Sequence, residues 1–162
     1  GALALAKLEA FNAYDRVCIS FPSFEVETYA RHMGSRQVPD LAAIVKAARV
    51  PVKVSCVLDE HNAPEVRGFL ERCREIGVKR VVLRKLYGET REWDVVSHLP
   101  VVRMYRNNPV HDCGGMEVTY WDFAGSASTS LNLFADGTLG TSYLLAETPE
   151  LRAPETSGMI GW

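Results

Sequence analysis

Three short polar clusters stand where an apolar run gives way to a loop: Ser20 to Ser23 in "RVCISFPS", Asp59 to Asn62 in "VLDEHN", and Arg84 to Gly88 in "LRKLYG". In parallel β/α sheets the loops at the carboxyl ends of strands form the site. Hydroxyls, a carboxylate and an amide at such ends suit the ribose, amine or carboxylate of a nucleotide-like ligand. Each cluster also has a plainer reading. Ser23 caps a helix, Asp59 and Asn62 only shape the turn before Ala63, and one of Arg84 and Lys85 faces solvent with its stem lying along the strand.

Metal and redox chemistry have fewer footholds. Cys18, Cys56 and Cys73 fall inside apolar strand or helix patterns, which reads as buried reduced thiols, and no CxxC or CxxxCxxC spacing occurs. Cys113 differs, because "HDCGGM" sets it in a glycine-rich loop beside His111 and Asp112, where a thiol next to an imidazole can ligate a metal or react. His32, His61 and His98 have no spaced partner, and the chain contains no GxGxxG, P-loop, GxSxG or HExxH. No catalytic residue and no metal ligand set is therefore assigned from motifs.

The elements that must position these groups follow from periodicity and punctuation. Residues 2–13 suit a short alanine-rich helix, 16–21 a strand cut off by Pro22, and 23–34 a helix begun by Ser23 and stopped by Gly34. A helix over 39–49, a strand over 51–58, a helix over 63–77 with Pro64 in its first turn and Gly77 as its stop, and a strand over 79–86 complete an alternating series. That alternation is the grammar of parallel strands with right-handed crossovers. After Gly88 the grammar changes: 101–106 reads as a strand followed by a turn at "NNP" and a loop around Cys113, and residues 115–123, 128–135 and 138–147 are strand-like without intervening helices. Asp136-Gly137 between two alternating runs is the strongest hairpin signal in the chain.

Composition bounds the partners. With 162 residues, 47% hydrophobic and 23% charged, the chain can bury a real core, and a net charge of −2 offers no basic excess for nucleic acid or an anionic membrane. No apolar run reaches the roughly 20 residues of a membrane span, and the alanine-rich start has no basic leader, so a cytoplasmic protein is expected. The first residue is Gly rather than Met, and we expect a piece of a longer product.

Taken together, "YDRVCISFPSFEVETYARHMG", a helix, and "PVKVSCVLDEHNAPEVRGFLERCREIGVKRVVLRKL" resemble the second half of a radical S-adenosylmethionine enzyme, and "SLNLFADGTLGTSYL" is similar to the strand-turn-strand that follows the barrel in several members. The resemblance covers about residues 2–88. It implies an α/β fold in which residues 1–88 are the C-terminal half of a partial β/α barrel, 89–148 an antiparallel β extension and 149–162 an irregular tail. It also implies a complete enzyme that binds S-adenosylmethionine and a [4Fe-4S] cluster and generates a 5′-deoxyadenosyl radical. The family's CxxxCxxC and its Gly-Gly-Glu-like segment are not in this chain, and Phe21-Pro22 stands where an acidic residue is usual near Ser20.

By position the resemblance marks Ser20, Ser23, Asn62, Val82, Leu83 and Arg84 as cofactor-binding. It further implies that the fragment is inactive alone, needs the missing N-terminal half of the barrel, and presents an open sheet edge through which it could form a homodimer. The competing expectations are a stand-alone α/β binding or scaffold module without iron, and a small metal site around His111, Asp112 and Cys113.

Overall fold

Three strands, β1 (Val17–Ser20), β2 (Val52–Leu58) and β3 (Arg80–Lys85), pair in parallel, and the helices α2 (Val26–Met33), α3 (Leu41–Ala47) and α4 (Val66–Glu75) cross over between them. A short α1 (Leu8–Phe11) precedes them. The computed structural model describes residues 1–86, 89–123, 125–126 and 131–140, which belong to two compact units divided after Ser126. The helix ends follow the punctuation: Gly34 takes φ 68° just beyond α2, and Gly77 takes φ 89° just beyond α4, conformations that cost a glycine little. Asp40 caps α3 by accepting a hydrogen bond from the Ala43 N–H at 2.9 Å. Pro64 falls in a 3₁₀ turn, Ala63–Glu65, that leads into α4.

The expected loop around Cys113 is instead a strand. β4 (Val101–Tyr105), β5 (Asn108–Cys113) and β6 (Met116–Trp121) form an antiparallel meander. Both turns have two residues at positive φ, Arg106-Asn107 at 50° and 64° and Gly114-Gly115 at 59° and 86°, matching the twist that tight hairpins need. The meander does not form a sheet of its own. β6 pairs in parallel with β3, so one six-stranded, mostly parallel sheet runs β1-β2-β3-β6-β5-β4, and the change of strand direction lies inside it.

The second unit contributes a two-stranded antiparallel pair, β7 (Asn132–Leu133) and β8 (Leu139–Gly140), closed at Asp136-Gly137 as its sequence indicates. The Phe134 N–H donates to the Thr138 carbonyl and the Gly137 N–H to the Phe134 carbonyl, both at 2.9 Å. Tyr87, Gly88, the strand-like runs 128–130 and 141–147, and the tail 149–162 lie outside the described residues. Among the described residues no helix is long and apolar enough to cross a membrane.

Alternation decides the two faces of the large sheet. Ile19, Val54, Cys56, Val81, Leu83 and Val118 point to one side, and there they join Tyr29, Leu41, Ile44, Val66, Phe69, Leu70 and Cys73 from α2, α3 and α4 in one core. Each fully buried Val or Leu stabilises the fold by roughly 1.5–3 kcal/mol. The segment after β3 covers the rest of that side with Trp93, Val95, Val96 and Leu99. All three crossover helices therefore pack on one face. Among the described residues of this unit, no crossover helix packs on the opposite face.

Candidate functional site

The helix-free face is a ladder of aligned side chains. Its middle row is Ser20, Ser55, Val82, Thr119 and Val110, in register across five strands. Toward the amino ends of the parallel strands lies a charged row, Cys18, Lys53, Arg80, Glu117 and Asp112. Toward the carboxyl ends stand Val57, Arg84 and Trp121. Parallel sheets are ordinarily apolar on both faces because both are covered. Serines, a threonine and six charged groups, Arg103 of β4 among them, set this face apart.

Glu117 organises the charged row. Its Oε2 accepts from Arg80 Nη2 at 2.9 Å, and its Oε1 accepts from Arg103 Nη2 at 2.9 Å. Burial pushes the Glu117 carboxyl up, but the Arg103 and Arg80 guanidinium groups outweigh this and hold it below the ordinary carboxylate range. Asp112 is committed to the hairpin, where its Oδ1 accepts from the Gly115 N–H at 2.9 Å.

At the carboxyl end, Trp121 packs its ring 6.2 Å from Tyr105 and 6.3 Å from Phe123, forming an aromatic ledge. Arg84 is the register neighbour of Trp121. Its Nε is buried and has no hydrogen-bond partner.

The six residues marked from sequence separate into two groups. Ser20, Val82 and Arg84 share the helix-free face, with the Ser20 side chain exposed at the end of β1. Ser23, Asn62 and Leu83 do not reach it. Leu83 is fully buried in the helix-side core. Ser23 does not cap α2, whose N-cap is Glu25; it accepts the Glu25 N–H at 2.9 Å and donates to Glu65 Oε2 at 2.6 Å. Asn62 is 2% exposed, donates through Nδ2 to the Val57 carbonyl at 2.8 Å and the Pro22 carbonyl at 3.3 Å, and accepts the Asp59 N–H at 2.9 Å. It ties the loop after β1 to the loop after β2. Of the pair Arg84 and Lys85, Arg84 takes the open face, while Lys85 turns to the helix side and donates to Glu92 at 2.6 Å.

The residues that most change the character of this face, Lys53, Ser55, Thr119 and Trp121, were not singled out from sequence. A signal for the first two was present. In "VKVSCVL" the two-residue period sets Lys53, Ser55 and Val57 on one side and Val54, Cys56 and Leu58 on the other.

The metal reading fares differently. His111 and Asp112 are consecutive on β5, so alternation sends them to opposite faces; His111 Nδ1 meets the Leu99 carbonyl at 3.0 Å on the helix side. Among the described residues no group of three or more His, Cys, Asp or Glu side chains could hold a metal ion.

The cysteines do not converge either. Cys18 is exposed on the open face, Cys56 and Cys73 are buried in the core, and Cys113 is half-buried. Burial, with a smaller push from Cys113, raises the Cys73 thiol to about 12, and burial moves Cys56 further in the same direction. These are not the ionised, convergent thiolates that an iron-sulfur cluster requires. Comparison with known protein families, curated proteins and solved structures finds no match to this chain.

Proposed function

We propose that this chain is the C-terminal wall of a radical S-adenosylmethionine enzyme and that its helix-free sheet face looks into the reaction chamber. One observation carries the reading: a mostly parallel sheet with all its crossover helices on one side and a laddered row with three hydroxyls, Ser20-Ser55-Val82-Thr119, on the other. Doubly wound sheets cover both faces with helices, whereas β/α barrels turn one face inward. On this reading the fold is half of such a barrel. The edge strand β1 is where the missing N-terminal half would continue the sheet, or where a second copy would pair.

S-Adenosylmethionine would lie against the carboxyl ends of the strands. The Ser20 hydroxyl, exposed at its strand end, is the group in this chain best placed to hydrogen-bond a ribose. Val82 supplies an apolar wall. The [4Fe-4S] cluster is another matter, since the four cysteines do not form its donor set; its ligands would belong to the missing half, and the fragment would be inactive alone. The second reading, a binding module without iron, uses the same face and is favoured by the scattered cysteines.

The upstream reading frame tests the proposal. A CxxxCxxC encoded in frame before Gly1, and iron, sulfide and charge-transfer absorbance in the longer product after anaerobic reconstitution, support it. A native start at Gly1 with no such motif overturns it and leaves the binding module.

A further inference from the structure

Arg84 is a cation without an anion among the described residues. Its Nε is removed from water and has no hydrogen-bond partner, and its guanidinium forms no ion pair with a described residue. A desolvated guanidinium N–H left unpaired is costly, so native folds retain one chiefly where something else completes it.

The carboxylates of the same face are not available to complete it. Glu117 is shared by Arg80 and Arg103, and Asp112 is held by its hairpin. Glu92 lies with Lys85 on the other side of the sheet. Lys53, on the same face, also has no ion pair among the described residues. The face therefore carries Lys53, Arg80, Arg84 and Arg103 against Glu117 and Asp112, a surplus of positive charge on a chain whose net charge is −2. Beside Arg84, the Trp121-Tyr105 ledge offers an apolar platform.

We infer that Arg84 is the centre of an oxyanion-binding subsite on the helix-free sheet face, beside the buried row of Ser55, Val82 and Thr119, and that its ligand carries a carboxylate or a phosphate and is distinct from S-adenosylmethionine. The planar guanidinium presents parallel N–H groups that match two oxygens of either anion. The ladder of parallel strands fixes its backbone between Val57 and Trp121. Trp121 receives the less polar part of the ligand. The subsite goes beyond the radical reading and exists equally in a binding module; in a radical enzyme the oxyanion belongs to the substrate.

The probes are inorganic phosphate and benzoate, titrated at constant ionic strength into the full chain while the Arg84 Nε–H resonance and the Trp121 fluorescence are followed. Saturable shifts are expected with at least one probe. Arg84→Gln should weaken that binding roughly tenfold or more, Arg84→Lys should weaken it while keeping the charge, and Arg36→Gln, remote on the surface, should leave it unchanged. Preference for phosphate or for benzoate names the ligand class.

Absence of saturation by both probes, or equal loss in Arg36→Gln, overturns the subsite. A folded Arg84→Lys chain decides the matter if Arg84→Gln does not fold. S-Adenosylmethionine is then added: binding of both at once supports a separate subsite, and displacement of the anion overturns it by assigning Arg84 to the cofactor. Anion binding with no affinity for S-adenosylmethionine leaves the subsite standing, and the radical reading is then decided by the upstream reading frame, since the fragment lacks the half that would hold the cluster.

Discussion

Ser23 donates its hydroxyl to Glu65 Oε2 at 2.6 Å across the gap between the loop after β1 and the turn that starts α4. Thr28, in the first turn of α2, donates to the other oxygen, Oε1, also at 2.6 Å. One carboxylate thus clips two β/α connections together at the rim of the sheet, and a hydroxyl that the sequence offers to a ligand is spent on the fold. Ser23→Ala is expected to destabilise the chain by about 1–2 kcal/mol, because it leaves a charged acceptor and the Glu25 N–H without their partner. Urea unfolding should show a lower midpoint at unchanged slope. A neutral Ser23→Ala would mean that water replaces the hydroxyl, and the clip would be incidental.

Asn62 performs the same service with more bonds. Its amide meets the Val57 and Pro22 carbonyls and the Asp59 N–H, and the side chain is almost wholly buried. Asn62→Ala should therefore cost roughly 2–4 kcal/mol, more than Ser23→Ala. Asn62→Asp should be at least as damaging, since it points a carboxylate at two carbonyl oxygens, and should recover partly below the ordinary aspartate pKa. Thermal or urea unfolding of the two variants at neutral and acid pH checks both statements.

Asp59 gives the chain an acid limb. Burial alone would raise its carboxyl, but the His61 and Asn62 backbone N–H groups donate to Oδ1 at 2.8 and 3.2 Å, and the His32 imidazole lies 3.2 Å away; together they hold it below the usual range. A carboxyl lowered on folding contributes stability that is present above its unfolded pKa, about 4, and is lost as pH falls through the folded value. Stability should thus decline on acidification below about pH 4, and Asp59→Asn should flatten part of that decline. A pH series of urea midpoints on the two proteins is the measurement. Identical pH profiles would show that the loop hydrogen bonds do not depend on the charge.

Sequence patterns reached some of this architecture and not the rest, for a physical reason. Gly34, Gly77 and Asp136-Gly137 are local signals, each acting within a few residues of the turn it makes, and each stands where it reads. Gly114-Gly115 is equally local, and a strong tight-turn signal, yet next to His111, Asp112 and Cys113 the pair reads as a glycine-rich loop rather than a hairpin turn. The pairing of β6 with β3 has no local signature at all. It joins Val82 to Thr119 and Arg84 to Trp121 across an intervening hairpin, so the row that makes the candidate site exists only in the assembled sheet. Arg84 was marked from its strand-end position, but its unpaired state is visible only in the assembled sheet, where its register neighbours are Val57 and Trp121 and neither is acidic.

Glu117 tunes the face. Its ion pairs are between a third and a half exposed, so Glu117→Gln should change stability by no more than about 1 kcal/mol. The electrostatic consequence is larger in proportion. With the carboxylate gone, Arg80 and Arg103 no longer offset their charge locally, and phosphate binding at Arg84 should tighten by about threefold at low salt, an advantage lost near 1 M salt. Titrations at two ionic strengths check it; weaker phosphate binding in Glu117→Gln would show that Glu117 holds the sheet in its binding shape.

Thiol reactivity reports on both faces at once. Cys18 is exposed on the open face, Cys113 is half-buried, and Cys56 and Cys73 are sealed in the core with their thiols pushed far above neutrality by burial. Only the thiolate alkylates readily, so iodoacetamide at pH 8 should label Cys18 first and Cys113 more slowly, since burial raises its thiol too. Cys56 and Cys73 should stay unlabelled until urea unfolds the chain. The pattern discriminates between readings of β1. If the N-terminal half of a barrel or a second copy covers that edge strand, adding it should slow the labelling of Cys18 and leave Cys113, three strands beyond β2 in the sheet, at its original rate. Equal rates for Cys18 with and without the added half would place the partner elsewhere, and labelling of Cys56 in the native chain would contradict the helix-side core itself.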